Sequence, residues 1–290
     1  MLIGYGDYTL TFSVGGSSTG ADFTAPTDGS NLADARTGSV QGLEWIGGTQ
    51  NTSSYVEITV TIGSVKDATP SIGVVGLCNC SLPAGTKIVC ESITQRLVED
   101  ARGERSAWFV PQTTGTSFTI RIYNDVNGSA SIVASSEFSI GEIYVGRVIG
   151  LCSLSGSSIN RTLQDPTATR RSTGGQLWAL MRKPFWQIGV QLGRFTTKEV
   201  QGGSSSGIAD GASGYIDIKT LQMTLSTLRV FAVCDHPDAG RGDGTDHGSI
   251  RYGQDFMQTN WMLCRLSSAG QLSMDARPYW SWSPQFMEAT

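Results

Sequence analysis

Alternation of apolar and polar residues dominates the first half of the chain. In YTLTFSV, Tyr8, Leu10, Phe12 and Val14 fall on one side, the pattern of a half-buried strand. YVEITVTIG repeats it more strictly. Val56, Ile58, Val60 and Ile62 face one way, and Tyr55, Glu57, Thr59 and Thr61 face the other. FTIRIYN does the same with Phe118, Ile120 and Ile122. IGVVGL (residues 72–77) has no polar interruption and predicts a strand covered on both faces. With Leu-Pro-Ala-Gly-Thr and TKIVCESI after it, residues 72–91 read as a hairpin, the central strand pair of the domain. Apolar residues from Phe138 to Ile149 predict a further strand. Turn signals such as Gly-Gly-Ser-Ser-Thr-Gly and Asn127-Gly128 separate these runs. Strands punctuated in this way predict an antiparallel β-sandwich.

After Gly150 the texture changes. A polar lead carrying Arg170 and Arg171 precedes LWALMRKPFWQIGVQLGRFT, in which Trp186, Ile188, Val190 and Leu192 share one face of an expected strand. Leu221–Leu228 fits either a strand or a short helix. LRVFAVCD reads as a buried strand. NWMLCRLSS and QLSMDARPYWSW read as a closing strand pair. The expected organisation is a sandwich over residues 1–150 and a second, mainly β domain over 151–290, with Gly/Ser and Asp/Gly loops and a subunit-interface role. The fold class is all-β.

Composition narrows the function classes. Charged residues make up 16% of the 290, and the net charge is −4, so no broad basic surface for nucleic acid is expected. No apolar run approaches the roughly 18 residues that cross a bilayer, and the first residues show no leader, so membrane insertion is not expected. Six cysteines could bridge, but a chain kept in a reducing compartment is expected to hold free, buried thiols.

Candidate chemistry is sparse. Cys78, Cys80 and Cys90 lie close in sequence. Residues 78 and 80 would share a strand face with 90 across the hairpin, a geometry that permits a thiolate metal site or a bridge. Zinc and iron–sulfur sites usually need a fourth ligand, and buried thiols are the expected outcome. The loop DHPDAGRGDGTDHG (235–248) holds both histidines, His236 and His247, with Asp235, Asp238, Asp243 and Asp246, but in no established ligand spacing. Gly203–Gly207 matches G-x-S-x-G only inside a low-complexity loop. No catalytic residue, metal ligand or cofactor is assigned, and no enzyme activity is expected. Arg170, Arg171, Arg182 and Lys183 form a local basic patch suited to a subunit contact. The alternating Tyr279-Trp280-Ser281-Trp282 suggests one aromatic strand face, a candidate for cover by another subunit.

Several segments together resemble a known family. EWIGG (44–48), residues 55–91, FTIRIYND (118–125) and SSEFSIGEIYVGRVI (135–149) are similar to the galactose-binding-like (discoidin-type) jelly roll of minor tail proteins in tailed, siphophage-like bacteriophages. The similarity spans about residues 30–150, and residues 151–290 resemble the second part of such proteins. The resemblance implies a virion component of the tail tip or baseplate, assembled in the bacterial cytoplasm. Its implied partners are other tail proteins and copies of itself, with no catalysis. It also implies an alternative role, attachment to a host surface glycan through loops at one end of the sandwich. No ligand motif of that family is present, so no binding residue is transferred.

Overall fold

The computed structural model describes residues 1–6, 8–16, 22–24, 41–46, 51–63, 70–100, 103–111, 113–132, 136–151, 158–171, 177–180, 183–202, 208–210, 214–228, 230–234, 261–276 and 279–289. The strands of the first 150 residues are β1 (Leu2–Tyr5), β2 (Thr9–Gly16), β3 (Asp22–Thr24), β4 (Gln41–Ile46) and β5 (Tyr55–Gly63). They continue with β6 (Ser71–Ile72), β7 (Val74–Cys78), β8 (Thr86–Cys90), β9 (Ile93–Arg96) and β10 (Val98–Glu99). Then come β11 (Arg105–Phe109), β12 (Thr113–Thr114), β13 (Ser117–Val126), β14 (Ser136–Ile140) and β15 (Glu142–Gly150). The rest of the chain forms β16 (Ser158–Gln164), β17 (Ala168–Arg171), β18 (Leu177–Leu180), β19 (Phe185–Thr196) and α1 (Thr197–Gln201). It ends with β20 (Ile208–Asp210), β21 (Gly214–Ile216), α2 (Ile218–Thr227), β22 (Phe231–Cys234), β23 (Trp261–Ser268), β24 (Leu272–Ala276), β25 (Tyr279–Trp282) and β26 (Gln285–Glu288).

The fold is all-β, built on large antiparallel sheets. Two compact units emerge. The first is Met1–Gly150 with Ala209–Gly214 and Phe231–Trp261. The second is Leu151–Ile208, Tyr215–Val230 and Met262–Thr290. The units break at Gly150, but they are not successive halves of the chain. β22 returns to pair with β1, and Asp210 of β20 pairs with Ile149 of β15, which ties both later segments to the first unit.

In the first unit, β2-β5-β13-β8-β9 make one sheet. β10-β11-β7-β15-β1-β22 run in order through another. Successive long strands alternate between the two, with β5, β8 and β13 in the first and β7, β11 and β15 in the second. That alternation is the jelly-roll sandwich. The core lies between the sheets. Val56, Ile58, Val60, Ile88, Ile120 and Ile122 meet Val75, Leu77, Phe109, Ile143 and Val145 there, all buried. The strict alternation of β5 therefore has the expected cause, one face in the core and one in water.

Residues 72–91 do not form a hairpin. β7 pairs with β11 and β15, whereas β8 pairs with β13 and β9. The intervening segment crosses from one sheet to the other. Asn79 and Gly85 take left-handed backbone conformations on the way. The crossing is pinned by Cys80 N–H donating to Arg105 C=O at 2.9 Å and Ser81 N–H to Ser139 C=O at 2.9 Å. Every residue of β7 is buried, because its second face is also covered. Trp108 packs on that face over Gly76, tilted against Tyr144 at 6.3 Å and stacked with Trp261 at 5.6 Å.

In the second unit β19 is the spine. β16 pairs along one edge, and β26 and β25 share the other. The closing strands do not pair as the sequence suggested. β23 pairs with β26, and β24 pairs with β25, so the unforeseen final strand and β19 separate them. Leu221–Leu228 resolves in favour of helix, with Asp217 as its N-cap accepting from Thr220 N–H at 2.8 Å. Its buried face is Ile218, Leu221 and Leu225.

Two glycines distinguish close approach from open surface. A Cβ at Gly73 would run into the backbone nitrogen of Val148, whereas nothing lies within 4 Å of one at Gly15. Gly73→Ala is expected to destabilise by about 1–3 kcal/mol, the usual cost of overpacking. Gly15→Ala is expected to be neutral or stabilising by up to about 1 kcal/mol. Urea unfolding midpoints of the two variants check this.

Candidate functional site

The three clustered cysteines are core residues. Cys80 and Cys90 belong to the interior of the sandwich, and Cys78 is buried at the end of β7. The left-handed Asn79 ends the strand after Cys78, so positions 78 and 80 do not share a strand face. β7 and β8 lie in different sheets, so Cys90 is not opposite them either. All three are outside any disulfide, as are the buried Cys234 and Cys264. Burial pushes the Cys80 thiol up to about 12 and raises Cys78 and Cys90 well above the ordinary range. For Cys78 the neighbouring Cys80 and Glu142 act in the same direction. A thiol held in this way is a poor nucleophile and a poor metal ligand, because both roles need the thiolate. Among the described residues no three His, Cys, Asp or Glu side chains form a group able to hold a metal ion.

Several other candidates fall outside the described residues: both histidines with the acidic loop 235–248, Gly203–Gly207, and Arg182. Arg170 lies on β17 opposite Trp178 of β18, and Arg171 is exposed. Lys183 is exposed just before β19.

The C-terminal aromatics divide between core and surface. On β25, Trp280 and Trp282 share a face, and Tyr279 lies on the other. Trp282 is fully buried within the chain, and its Nε1–H donates to Ala269 C=O at 2.8 Å. Gln222 of α2 donates to the same carbonyl at 2.9 Å, so the helix and the tryptophan are fixed through one acceptor. Trp280 is half-buried, with its Nε1–H directed at Thr197 Oγ1 at 3.4 Å. Only Tyr279 of the motif faces outward, 43% exposed. The aromatic run is thus mostly covered by its own unit.

What remains exposed is concentrated. The large apolar side chains standing open among the described residues are Leu163, Met223, Met274 and Tyr279, and all four belong to the second unit. They lie on β16, α2, β24 and β25. β16 pairs only with β19 and β24 only with β25 among the described strands, so both present an open backbone edge. The outward face of the first unit's five-stranded sheet has a different character. Ser13, Thr59 and Thr119 stand in one cross-strand row, and Thr11, Thr61 and Ser117 in the next. These positions carry hydroxyls, and the Glu91 carboxylate at their margin accepts from Thr119 N–H at 2.9 Å.

Trp282→Ala is expected to cost about 3–5 kcal/mol, as for a large aromatic lost from a core. Tyr279→Ala should stay within about 0.5 kcal/mol. Thermal unfolding distinguishes the two. The thiols set a pH dependence of definite sign. A buried thiol whose folded pKa is raised favours the folded state up to its unfolded value, and that contribution disappears as pH climbs through the folded value. Stability is therefore expected to fall from about pH 9 towards 12, and a Cys80→Ala variant should show a shallower fall.

No family model, no curated protein and no solved structure matches this chain.

Proposed function

We propose that this chain is a structural component of a bacteriophage tail tip or baseplate, acting through protein–protein interfaces in a symmetric assembly with copies of itself and other tail proteins. The observation that carries the reading is the segregation of exposed apolar side chains. Leu163, Met223, Met274 and Tyr279 all stand on the second unit, two of them on strands with open edges. Open edges and outward apolar side chains are what a strand-pairing or face-packing partner covers. The texture of residues 44–149 supplies the phage assignment by resemblance.

The purified chain is expected to sediment as a discrete oligomer. Leu163→Glu combined with Met274→Glu should reduce its mass while leaving the circular dichroism unchanged. Mass spectrometry of purified tailed particles should find the chain in fixed stoichiometry. A protein that stays monomeric at all concentrations and is absent from such particles contradicts the reading.

A further inference from the structure

Asn127-Gly128 is the one Asn-Gly pair in the sequence, and it forms the turn after β13. Both residues are exposed. Both hold left-handed backbone conformations, with φ 52° at Asn127 and 92° at Gly128, and Val126 and Ser129 bridge across them. The Asn127 side chain lies against Gly85, in the segment that crosses between the sheets. A Cβ at Gly85 would run into its amide. Asn127 N–H also donates to Gly85 C=O at 3.3 Å.

Asparagine before glycine is chemically labile. The peptide nitrogen of the following residue can attack the side-chain amide carbon, and glycine has no Cβ to hinder the approach. Here the new bond would join Gly128 N to Asn127 Cγ. The Cγ–Nδ2 bond then breaks, and the side-chain nitrogen leaves as ammonia with the proton given up by Gly128 N–H. One water opens the resulting cyclic imide at either of its carbonyls, giving aspartate or isoaspartate. Water is the only co-reactant, and the exposed turn is in contact with it.

The attacking nitrogen is engaged in the folded turn. Gly128 N–H donates to Asp125 Oδ1 at 2.7 Å, a charge-assisted bond. Asp125 is buried and is itself held, accepting from Arg96 Nη1 at 3.3 Å, while the same Nη1 donates to Gly85 C=O at 2.7 Å. The bond from Gly128 is the foremost cause holding the Asp125 carboxyl below its ordinary range, with Arg96 adding to it, so the acceptor is ionised at neutral pH. A carboxylate facing an amide proton opposes the loss of that proton, and attack also requires Gly128 N to leave Asp125. We propose that Asn127-Gly128 is a deamidation site guarded by Asp125, which keeps the Gly128 nitrogen from the Asn127 side chain while the turn is folded. Conversion would place a new carboxylate beside Gly85 and two residues from Asp125. The site belongs to the turn alone and is independent of the assembly reading.

The test is ageing of the full chain in mildly alkaline buffer, with mass-spectrometric mapping of the peptide that contains residues 127 and 128 and chromatographic separation of its aspartate and isoaspartate forms. The native chain unfolded in urea should convert at least about tenfold faster than the folded chain, and folded Asp125→Ala roughly tenfold faster than folded native, the effect of one charge-assisted hydrogen bond. Arg96→Gln loosens the same carboxylate but keeps its bond to Gly128, and should convert at close to the native rate. Circular dichroism and thermal midpoints verify that the variants fold. If Asp125→Ala does not, Asp125→Asn replaces it: a neutral acceptor at the same place should still convert faster than native, by a smaller factor. The proposal is overturned if Asn127 stays unconverted in the unfolded chain, if the folded native chain converts as fast as the unfolded one, or if removing the Asp125 charge brings no acceleration. Arg96→Gln converting as fast as Asp125→Ala overturns it as well, since loosening of the turn would then suffice.

Discussion

The first unit depends on one constraint: β7 must be buried on both faces and paired on both edges. Val75 and Leu77 fill the space between the two sheets, while Val74 and Gly76 face the layer that contains Trp108 and Tyr144. Burying a side chain such as Val or Leu contributes on the order of 1.5–3 kcal/mol, so this short strand is worth more than its length suggests. Its position also dictates the path of the chain. With both edges of β7 occupied by β11 and β15, the returning β8 has no place beside it and must join the opposite sheet. The crossing segment then satisfies its backbone groups on β11 and β14, which pins the chain across residues 78–86.

From that arrangement follows where chemistry can and cannot occur. The thiols that cluster in sequence are consumed by packing, and their raised pKa values express the low polarity of their surroundings. Reactive or ligating groups would have to stand on outward faces. The first unit presents a sheet that is uncharged over β2 and cationic and aromatic towards β8 and β9. The second unit presents apolar side chains and open strand edges.

The strands were legible where burial is one-sided. The alternations in β2, β5 and β13 encode burial directly, and the unbroken apolar run of β7 encodes cover on both faces. Partners were not legible. A hairpin between β7 and β8 is the local solution, and sequence pattern has no information about edges already occupied by strands 30–70 residues away. The same limit hid the pairing of β23 with β26 and the return of β22 to β1. Helix α1 did carry a readable signal, since Thr196 and Glu199 form a capping box with reciprocal bonds, but a helix of five residues leaves too little periodicity to draw notice. The aromatic and cationic part of the first unit's outward face could not be read at all. Residues 55, 87, 96 and 123 become neighbours only through the registers of β5, β13, β8 and β9.

The second unit's outward surface can be tested directly by oxidative footprinting of its methionines. Met223 and Met274 are 71% and 50% exposed, while Met262 is 9% exposed and serves as an internal reference. In dilute isolated chain, Met223 and Met274 should oxidise quickly and Met262 slowly. If assembly covers this surface, at least one of the two exposed methionines should become strongly protected in the assembled state, with Met262 unchanged. Equal oxidation of Met223 and Met274 in the free and assembled states would contradict the account.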